Sequence, residues 1–182
     1  GEVAIAAMAV VSRIAMFANS TIIGFGQGFQ PVCGFNYGAG LTKRVLRAFW
    51  FCVKFAFVFL LIAGVLGIIF APRLVDTFGN GPEVGKIAAA ALRFQCVALP
   101  LNSFIVLSNM LLQTIRKPVR ASILAVSRQG LIFIPLVIVL PLILGITGLE
   151  MCQMISDIFT FMLAVVIQIP VLKELGREKA TV

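Results

Sequence analysis

Long apolar runs separated by short polar turns dominate the sequence. A transmembrane helix needs about 20 mostly apolar residues, and five segments meet this requirement. They cover approximately residues 3–37, 45–71, 84–113, 119–144 and 149–172. Because the connections are short, consecutive helices are expected to pack as antiparallel neighbours. The pattern predicts an all-α, polytopic membrane protein with five transmembrane helices.

Composition supports this fold class and excludes others. The 182 residues are 60% hydrophobic and 12% charged, and the mean hydropathy is +1.09. Soluble domains average about 45–50% apolar and about 25% charged residues. The net charge is +8, but the basic residues flank apolar runs, so membrane topology explains them and no nucleic-acid partner is expected.

Lysine and arginine are concentrated at one set of helix ends. That set carries nine basic residues, whereas the opposite set carries two, Arg73 and Lys86. Since basic loops favour the cytoplasm, we expect the C-terminus inside the cell, in a bacterial plasma membrane. Five spans then place the N-terminus outside, which, with the missing initiator Met, predicts an odd number of further spans upstream. The nine residues are Lys43, Arg44, Arg47, Arg116, Lys117, Arg120, Lys173, Arg177 and Lys179.

Residue types needed for catalysis are scarce. The chain has no histidine, which excludes a histidine metal site, general base or proton relay within it. The cysteines lie in or beside apolar runs without a C-x-x-C pair, so we interpret them as small buried hydrophobic residues. There is no cluster of nucleophiles or paired carboxylates. We therefore expect neither an enzyme nor a bound metal or cofactor.

One face of the first helix combines small and polar residues. Polar side chains inside a span usually face the bundle interior or a wet cavity. Two interpretations stay open, and they are compatible: a tight helix–helix contact, which small residues permit, or a cavity wall. The face, spaced by three or four residues, consists of Arg13, Phe17, Ser20, Gly24, Gln27, Pro31 and Gly34.

The third helix carries amides on one face beside a proline. Gln95, Asn102, Asn109 and Gln113 follow helical spacing. Pro100 removes one backbone hydrogen bond, and transporters often place ligands at interrupted helices. These residues are candidates for a substrate or ion cavity, with plain interhelical hydrogen bonding as the alternative.

Asp157 in the fifth helix is the strongest candidate for ion binding. It is the only acidic residue well inside a predicted span, and Gln153 and Thr160 share its face. A carboxylate in such a position can bind a proton or a cation. The alternative is a structural ion pair with Arg13 or Arg93.

The stretch GFGQGFQPVCGFNYGAG at residues 24–40 contains the remaining candidates. A helix continuous to Tyr37 would extend about 52 Å, well beyond the hydrocarbon core of about 30 Å. We interpret the stretch as the cytoplasmic half of a cavity-facing helix. In this interpretation Gln27, Gln30 and Asn36 hold an inner gate, and the small residues allow close packing of the lobes. The further candidates for gate and packing positions are Gly24, Pro31, Gly34, Tyr37 and Pro100.

Two stretches resemble MATE (multidrug and toxic compound extrusion) exporters. GQGFQPVCGFNYGAG followed by KRVLRA resembles the end of their eighth helix. LLQTIRKPVRASILAVSRQGLIFIPLVIVLPLILGITGLE resembles the end of the tenth helix and the eleventh, and MCQMISD resembles the start of the twelfth. The resemblance implies that the chain holds helices eight to twelve. These are most of a six-helix C-terminal lobe, without the N-terminal lobe.

The resemblance also implies a function. MATE proteins export organic, often cationic, compounds in exchange for H+ or Na+ by alternating access, so the implied partners are the lipid bilayer, the N-terminal lobe of the same chain and small organic substrates. The matching tenth helix lacks the acid that some branches carry, which leaves the coupling ion open. The alternative is a lipid-linked oligosaccharide flippase of the same superfamily, in which Arg13 and Arg93 would suit a cationic cavity.

Overall fold

The computed structural model describes residues 2–78 and 81–177, and these residues form helices and turns without any strand. The all-α prediction is therefore confirmed. The elements in chain order are α1 (Glu2–Gly38), α2 (Thr42–Asp76), α3 (Pro82–Ala98), α4 (Leu101–Thr114), α5 (Pro118–Val126), a π-helical turn (Ser127–Leu131) and α6 (Phe133–Arg177).

The third predicted span is broken where the proline stands. By length and composition, α1, α2 and α6 can each cross a membrane, and α3 with α4 forms a further candidate bent by 57°. Pro100 is buried between these two helices and lacks the N–H that would continue the backbone ladder. The Ser103 hydroxyl donates a hydrogen bond of 2.7 Å to the Pro100 carbonyl oxygen, which stabilises the start of α4.

A sharp break at Gly145 divides α6 into two arms, residues 133–144 and 146–177. Gly145 has φ 61° and ψ −135°, a conformation that glycine adopts without a steric penalty. The break lies in the predicted G-I-T-G turn. Consequently α5, the π-helical turn and the first arm occupy the fourth predicted span, and the second arm contains the fifth. The limits of the five spans stay predictions.

The main core lies where α1, α2, α4, α5 and α6 meet. Aromatic rings fill its centre: Phe49 contacts Phe29, Trp50 and Phe104, and Phe104 contacts Phe161 at 5.5 Å between ring centroids. Aliphatic side chains on α4 complete this cluster. Tilted and edge-to-face ring pairs add to the burial of apolar area, so this cluster fixes how α4 sits against α6.

The outer surface of α2 is apolar, as expected for a lipid-facing helix. Its exposed residues include most of its phenylalanines, together with valine, leucine and isoleucine side chains. Lys54 is also exposed, and its long stem allows the ammonium group to reach the membrane surface.

One ion pair joins two helix ends that the distribution of lysine and arginine assigns to the same side of the membrane. The Lys117 ammonium, in the turn before α5, contacts the Glu174 carboxylate near the end of α6. The two helix ends therefore meet at one end of the bundle. Their cytoplasmic orientation remains a prediction.

Gln168 on α6 is a buried amide without a hydrogen-bond partner among the described residues. It is fully buried, and neither its Oε1 nor its Nε2 has a hydrogen-bond partner among the described residues. We expect Gln168→Met to raise the free energy of unfolding by about 1–3 kcal/mol, because the unpaired amide is removed at similar volume. Thermal unfolding in detergent measures this. The control is Gln113→Met, at an exposed amide that donates to Asn109, and an equal shift in both variants would contradict the prediction.

Candidate ion and substrate site

Asp157 lies at the centre of a buried polar cluster formed by four segments. Its side chain is 1% exposed, and its Oδ1 is 3.5 Å from the Nε of Arg128. The Asn102 amide donates to Oδ2 at 3.4 Å, and the Gln153 amide donates to Oδ1 at 3.3 Å. The Arg128 guanidinium also donates to Asn19 Oδ1 on α1 at 3.4 Å. The structure thus brings together three of the predicted residues, Asp157, Asn102 and Gln153.

The ion-pair partner of Asp157 differs from the expected one. Arg13 and Arg93 were the predicted alternatives, and both are exposed. Arg128, on the π-helical turn between α5 and α6, is the partner instead. The physical reason is burial. Arg128 lies inside the fourth span with a half-buried side chain, whereas the side chains of Arg13 and Arg93 are exposed.

The π-helical turn places Arg128 against α6. Its defining hydrogen bond runs from the Ile132 N–H to the Ser127 carbonyl oxygen at 3.1 Å, which accommodates one more residue than an α-helical turn. The Ser156 hydroxyl donates to the Arg128 carbonyl oxygen at 3.3 Å. This contact holds the widened turn beside the residue that precedes Asp157.

Two cavities flank the guanidinium. Cavity A has a volume of about 340 Å³ and mixes polar with apolar walls formed by Ser12, Ala15, Met16, Asn19, Gln95, Arg128, Phe133 and Gln153. Cavity B has a volume of about 300 Å³ and is more apolar, with walls formed by Ile23, Ile105, Val106, Asn109, Met110, Gln113, Leu124, Ala125 and Arg128. Arg128 belongs to both walls and therefore stands between the two cavities.

Two polar groups of the cluster are not fully satisfied by the protein: an oxygen next to Asp157 and the guanidinium of Arg128. The Asp157 carboxylate is compensated by one cation and two amide donors, but the Asn102 Oδ1 next to it is buried without a partner among the described residues. On the other side, the Arg128 side chain is 19% exposed, so part of the guanidinium faces the cavities. A carboxylate with a free oxygen beside it can accept a proton or a small cation.

The other predicted cavity residues lie in three different surroundings. Gln95 lines cavity A. Asn109 lines cavity B and donates to the Ala121 carbonyl oxygen at 3.4 Å. Thr160 is buried, and its hydroxyl donates to the Ser156 carbonyl oxygen at 2.8 Å. The Thr160 hydroxyl therefore forms its hydrogen bond within its own helix.

Most of the small and polar face predicted on α1 is exposed. Arg13 and Gln27 are exposed and line neither cavity. A Cβ on Gly24 would have no neighbour within 4 Å, so Gly24 makes no helix contact here. The glycine that does allow close packing is Gly26, which lies against the Met110 side chain.

The predicted gate and packing residues near the end of α1 differ in their surroundings. Pro31 is exposed and lies inside the continuous helix. The Thr114 methyl would lie 3.4 Å from a Cβ at Gly34. Asn36 donates from its amide to the Val32 carbonyl oxygen at 2.8 Å, and Tyr37 packs against the main core. The remaining candidate, Gln30, is half-buried.

Two members of the cluster, Arg128 and Asn19, are absent from the sequence-based candidates. A signal for Arg128 exists, because a charged residue in the middle of an apolar span usually has a buried partner. Asn19 carries no comparable signal: it is next to Ser20 in the sequence, and its side chain accepts a hydrogen bond from the π-helical turn.

Comparison with known proteins assigns the chain to a family. The model of the MatE family matches residues 1–139. The chain belongs to the MatE family. A curated relative in this family is the multidrug export protein MepA of Staphylococcus haemolyticus, which is 25% identical over 181 residues, 100% of this chain and 40% of MepA.

Solved structures of MATE transporters share the fold. The transporter VcmN of Vibrio cholerae in its bent form matches with a TM-score of 0.89 at 20% identity, over 97% of this chain and 40% of VcmN. The transporter ClbM in complex with Rb+ matches with a TM-score of 0.83 at 26% identity, over 97% of this chain and 42% of ClbM. The chain thus spans about 40% of the length of the MatE proteins that it matches.

Proposed function

We propose that this chain forms the larger part of the C-terminal lobe of a multidrug exporter that exchanges organic, often cationic, compounds for H+ or Na+ by alternating access. Family membership, the export activity in the name of MepA and the share of each relative that the chain covers support this proposal. The N-terminal lobe would come from the same polypeptide. Upstream coding sequence for seven further spans would support it directly.

The single observation that carries the proposal is the Asp157 cluster. A buried carboxylate in a membrane span is costly and usually functional, and this one adjoins an arginine that borders two cavities. The unpartnered Asn102 Oδ1 offers a second oxygen for a cation. The relative ClbM has a solved structure in complex with Rb+, a monovalent cation.

Ion occupancy at Asp157 would change the charge of the cavity walls. A proton on Asp157, or Na+ bound to its carboxylate and the Asn102 oxygen, weakens the attraction between Asp157 and Arg128. The guanidinium then presents more net positive charge to cavities A and B, which disfavours a cationic substrate. Ion and substrate can drive opposite conformations only if each binds one state better than the other, and this exchange of charge provides such a difference.

The exposed apolar surface supports the proposed membrane environment. Lipid would contact the outer face of α2, and the basic ends of the helices would lie on the cytoplasmic side of a bacterial plasma membrane. The flippase alternative is less well supported. The two arginines that would suit it, Arg13 and Arg93, line neither cavity, and the arginine that does line them is paired with Asp157.

Asp157→Asn in the transporter tests the proposal. We expect drug accumulation against a gradient to fall by roughly tenfold or more, because the amide neither takes up a proton nor balances a cation. Efflux of preloaded drug down its own gradient should persist. The measurement is uptake of a fluorescent cation into vesicles under an imposed H+ or Na+ gradient.

A matched control uses another buried polar residue of the same helix face. Thr160→Val removes a hydroxyl that bonds only to its own helix, and we expect it to keep the dependence on the ion gradient. Export by Asp157→Asn with an unchanged ion dependence would remove Asp157 from the coupling mechanism.

A further inference from the structure

One exposed face of α2 is basic near its start and apolar further along. Four exposed residues, spaced by three or four positions, share this side of the helix: Lys43, Arg47, Trp50 and Lys54. The same side continues with three exposed apolar residues, Val58, Leu61 and Val65. This α2 face therefore has a cationic part followed by an apolar part, in the order in which a phospholipid presents its headgroup and its acyl chains.

The last turn of α6 lies beside the first turns of α2. A Cβ on Gly176 would lie 3.8 Å from the Leu46 Cδ1. Lys173 precedes Gly176 by about one helical turn and Arg177 follows it directly, and both of these basic residues are exposed. The contact between Gly176 and Leu46 thus places basic residues of α6 next to the basic part of the α2 face.

These cations have no acidic partner in the described part of the chain. The ion pairs within residues 2–78 and 81–177 include neither a residue of the α2 face nor Lys173 or Arg177. The acid at this end of the bundle is Glu174, and its contact with the Lys117 ammonium lowers the pKa of its carboxyl group. Because Glu174 and Gly176 are two positions apart, they lie on nearly opposite sides of α6. Glu174 therefore compensates the α5 side and leaves the α2 side of α6 without a carboxylate.

Trp50 marks the level at which a lipid headgroup would meet the hydrocarbon region. Its side chain is 44% exposed, and its ring packs against Phe49 and Phe104. Tryptophan is enriched at this boundary of the bilayer. Lys54 lies one turn deeper, and its stem allows the ammonium group to reach back to the same level. A free phosphate ion would use the cations alone, whereas a phospholipid would also contact Trp50 and the apolar part of the α2 face.

We propose that the α2 face and the last turn of α6 form a binding site for an anionic phospholipid of the cytoplasmic leaflet. The lipid phosphate contacts Lys43 and Arg47, with Lys173 and Arg177 beside it, and the acyl chains lie along the apolar part of α2. Basic side chains at a membrane surface attract anionic headgroups. The inference rests on the membrane orientation proposed above and adds a specific lipid partner to the export function.

Quenching of Trp50 fluorescence by brominated lipids tests the inference. The transporter is reconstituted in phosphatidylcholine vesicles with a small fraction of brominated phosphatidylglycerol, or of brominated phosphatidylcholine with the same acyl chains. The measured quantity is the ratio of the two quenching efficiencies, and the signal of Trp50 is the difference from Trp50→Phe. We expect a ratio severalfold above one in the wild type. In Lys43→Gln with Arg47→Gln it should fall to about one, because two headgroup contacts are lost.

A second double variant removes the same charge at the same end of the bundle. Arg116 and Arg120 are exposed and lie on the side that Glu174 compensates, where Arg120 also lowers the pKa of Glu174. Arg116→Gln with Arg120→Gln should therefore keep the wild-type ratio. An equal fall in both double variants would overturn the inference, since it would show a general surface potential in place of a site. An unchanged ratio in Lys43→Gln with Arg47→Gln would overturn it as well.

Free phosphate is the competing ligand in this experiment. Exchange of sodium chloride for sodium phosphate at equal ionic strength should leave the wild-type ratio unchanged, because the site holds the whole lipid. A fall that occurs only with phosphate would overturn the assignment to a lipid.

The inference and the proposed function fail in different ways. The quenching ratio needs neither a drug nor an ion gradient, and both leaflets of the vesicle contain the brominated lipid. A transporter that exports drug without preferring phosphatidylglycerol at Trp50 would overturn the lipid site and leave the export function intact. A transporter that shows the preference but no export would contradict the export function and support the lipid site. Absence of quenching by either lipid would contradict both the site and the lipid exposure of α2.

Discussion

Replacing Arg128 by glutamine while Asp157 remains is expected to lower the free energy of unfolding by about 3–5 kcal/mol, because a buried carboxylate then has no compensating cation. The Asp157 side chain is 1% exposed, so the carboxylate depends on its protein partners for compensation. The amides of Asn102 and Gln153 remain as donors, but neutral donors only partly offset a buried charge. Urea or SDS unfolding of the purified protein in detergent measures the change.

Removing both charges should restore most of this loss. In Arg128→Gln with Asp157→Asn, the two amides can pair with each other and with the neighbouring amides, and we expect stability within about 1 kcal/mol of the wild type. Asp157→Asn alone should cost less than Arg128→Gln alone, because the Arg128 side chain is 19% exposed and can be hydrated from the cavities. The double-mutant cycle then gives a large coupling energy.

The exposed ion pair of the same protein provides the matched control. Lys117 and Glu174 have side chains that are 25% and 53% exposed. Surface pairs of this kind contribute about 0–1 kcal/mol, so Lys117→Gln, Glu174→Gln and the double variant should all stay within that range. A loss in Arg128→Gln no larger than that in Lys117→Gln would show that Asp157 is not the buried, dependent charge that the structure describes.

Much of the fold could be predicted from sequence because length and apolarity decide it. The runs around α1 and α2 exceed a bilayer thickness, Pro100 predicts the break between α3 and α4, and the G-I-T-G turn predicts the reversal at Gly145. Each of these features is local: a run of apolar residues, a missing N–H or a glycine conformation is encoded within a few positions of the chain.

The face of α1 that packs against the other described helices could not be predicted in the same way. In a soluble protein, apolar residues mark the side that is buried, but in a membrane the outer side is equally apolar. Phe17 and Phe35 are accordingly both exposed, whereas Ile22, Gly26 and Phe29 face the neighbouring helices. Periodicity shows which residues share a helix face, but it does not show whether that face contacts lipid or protein.

The site was partly predictable for a related reason. Asp157 stands out because a lone acid in an apolar span is costly, and spacing on one helix adds Gln153. Its pairing with Arg128 depends on the π-helical turn, and the extra residue in that turn has no marker in the local sequence. The sequence alone groups Arg128 with the basic residues at the start of its span. Its position inside the apolar run nevertheless indicates a buried partner.

Gly148→Ala is expected to be among the most damaging small substitutions in the chain. A Cβ at Gly148 would overlap the Leu140 carbonyl oxygen and would lie 2.6 Å from the Leu140 carbonyl carbon and 3.1 Å from the Leu144 Cβ. The first obstacle is backbone, which cannot move aside as a flexible side chain does. Since the two arms of α6 must then separate, we expect a loss at the upper end of about 1–3 kcal/mol, or more.

Two other glycines separate the causes. Gly145→Ala meets no neighbour within 4 Å, but its φ of 61° makes any Cβ strained, for a loss of about 1–3 kcal/mol. Gly28 lies in α1 with open space around it and an ordinary helical backbone, so Gly28→Ala should gain about 0.5–1 kcal/mol. Thermal unfolding in detergent should therefore rank the variants with Gly28→Ala above the wild type and Gly148→Ala lowest. If Gly148→Ala unfolded at the wild-type temperature, the two arms of α6 could not be packed backbone to backbone at this turn.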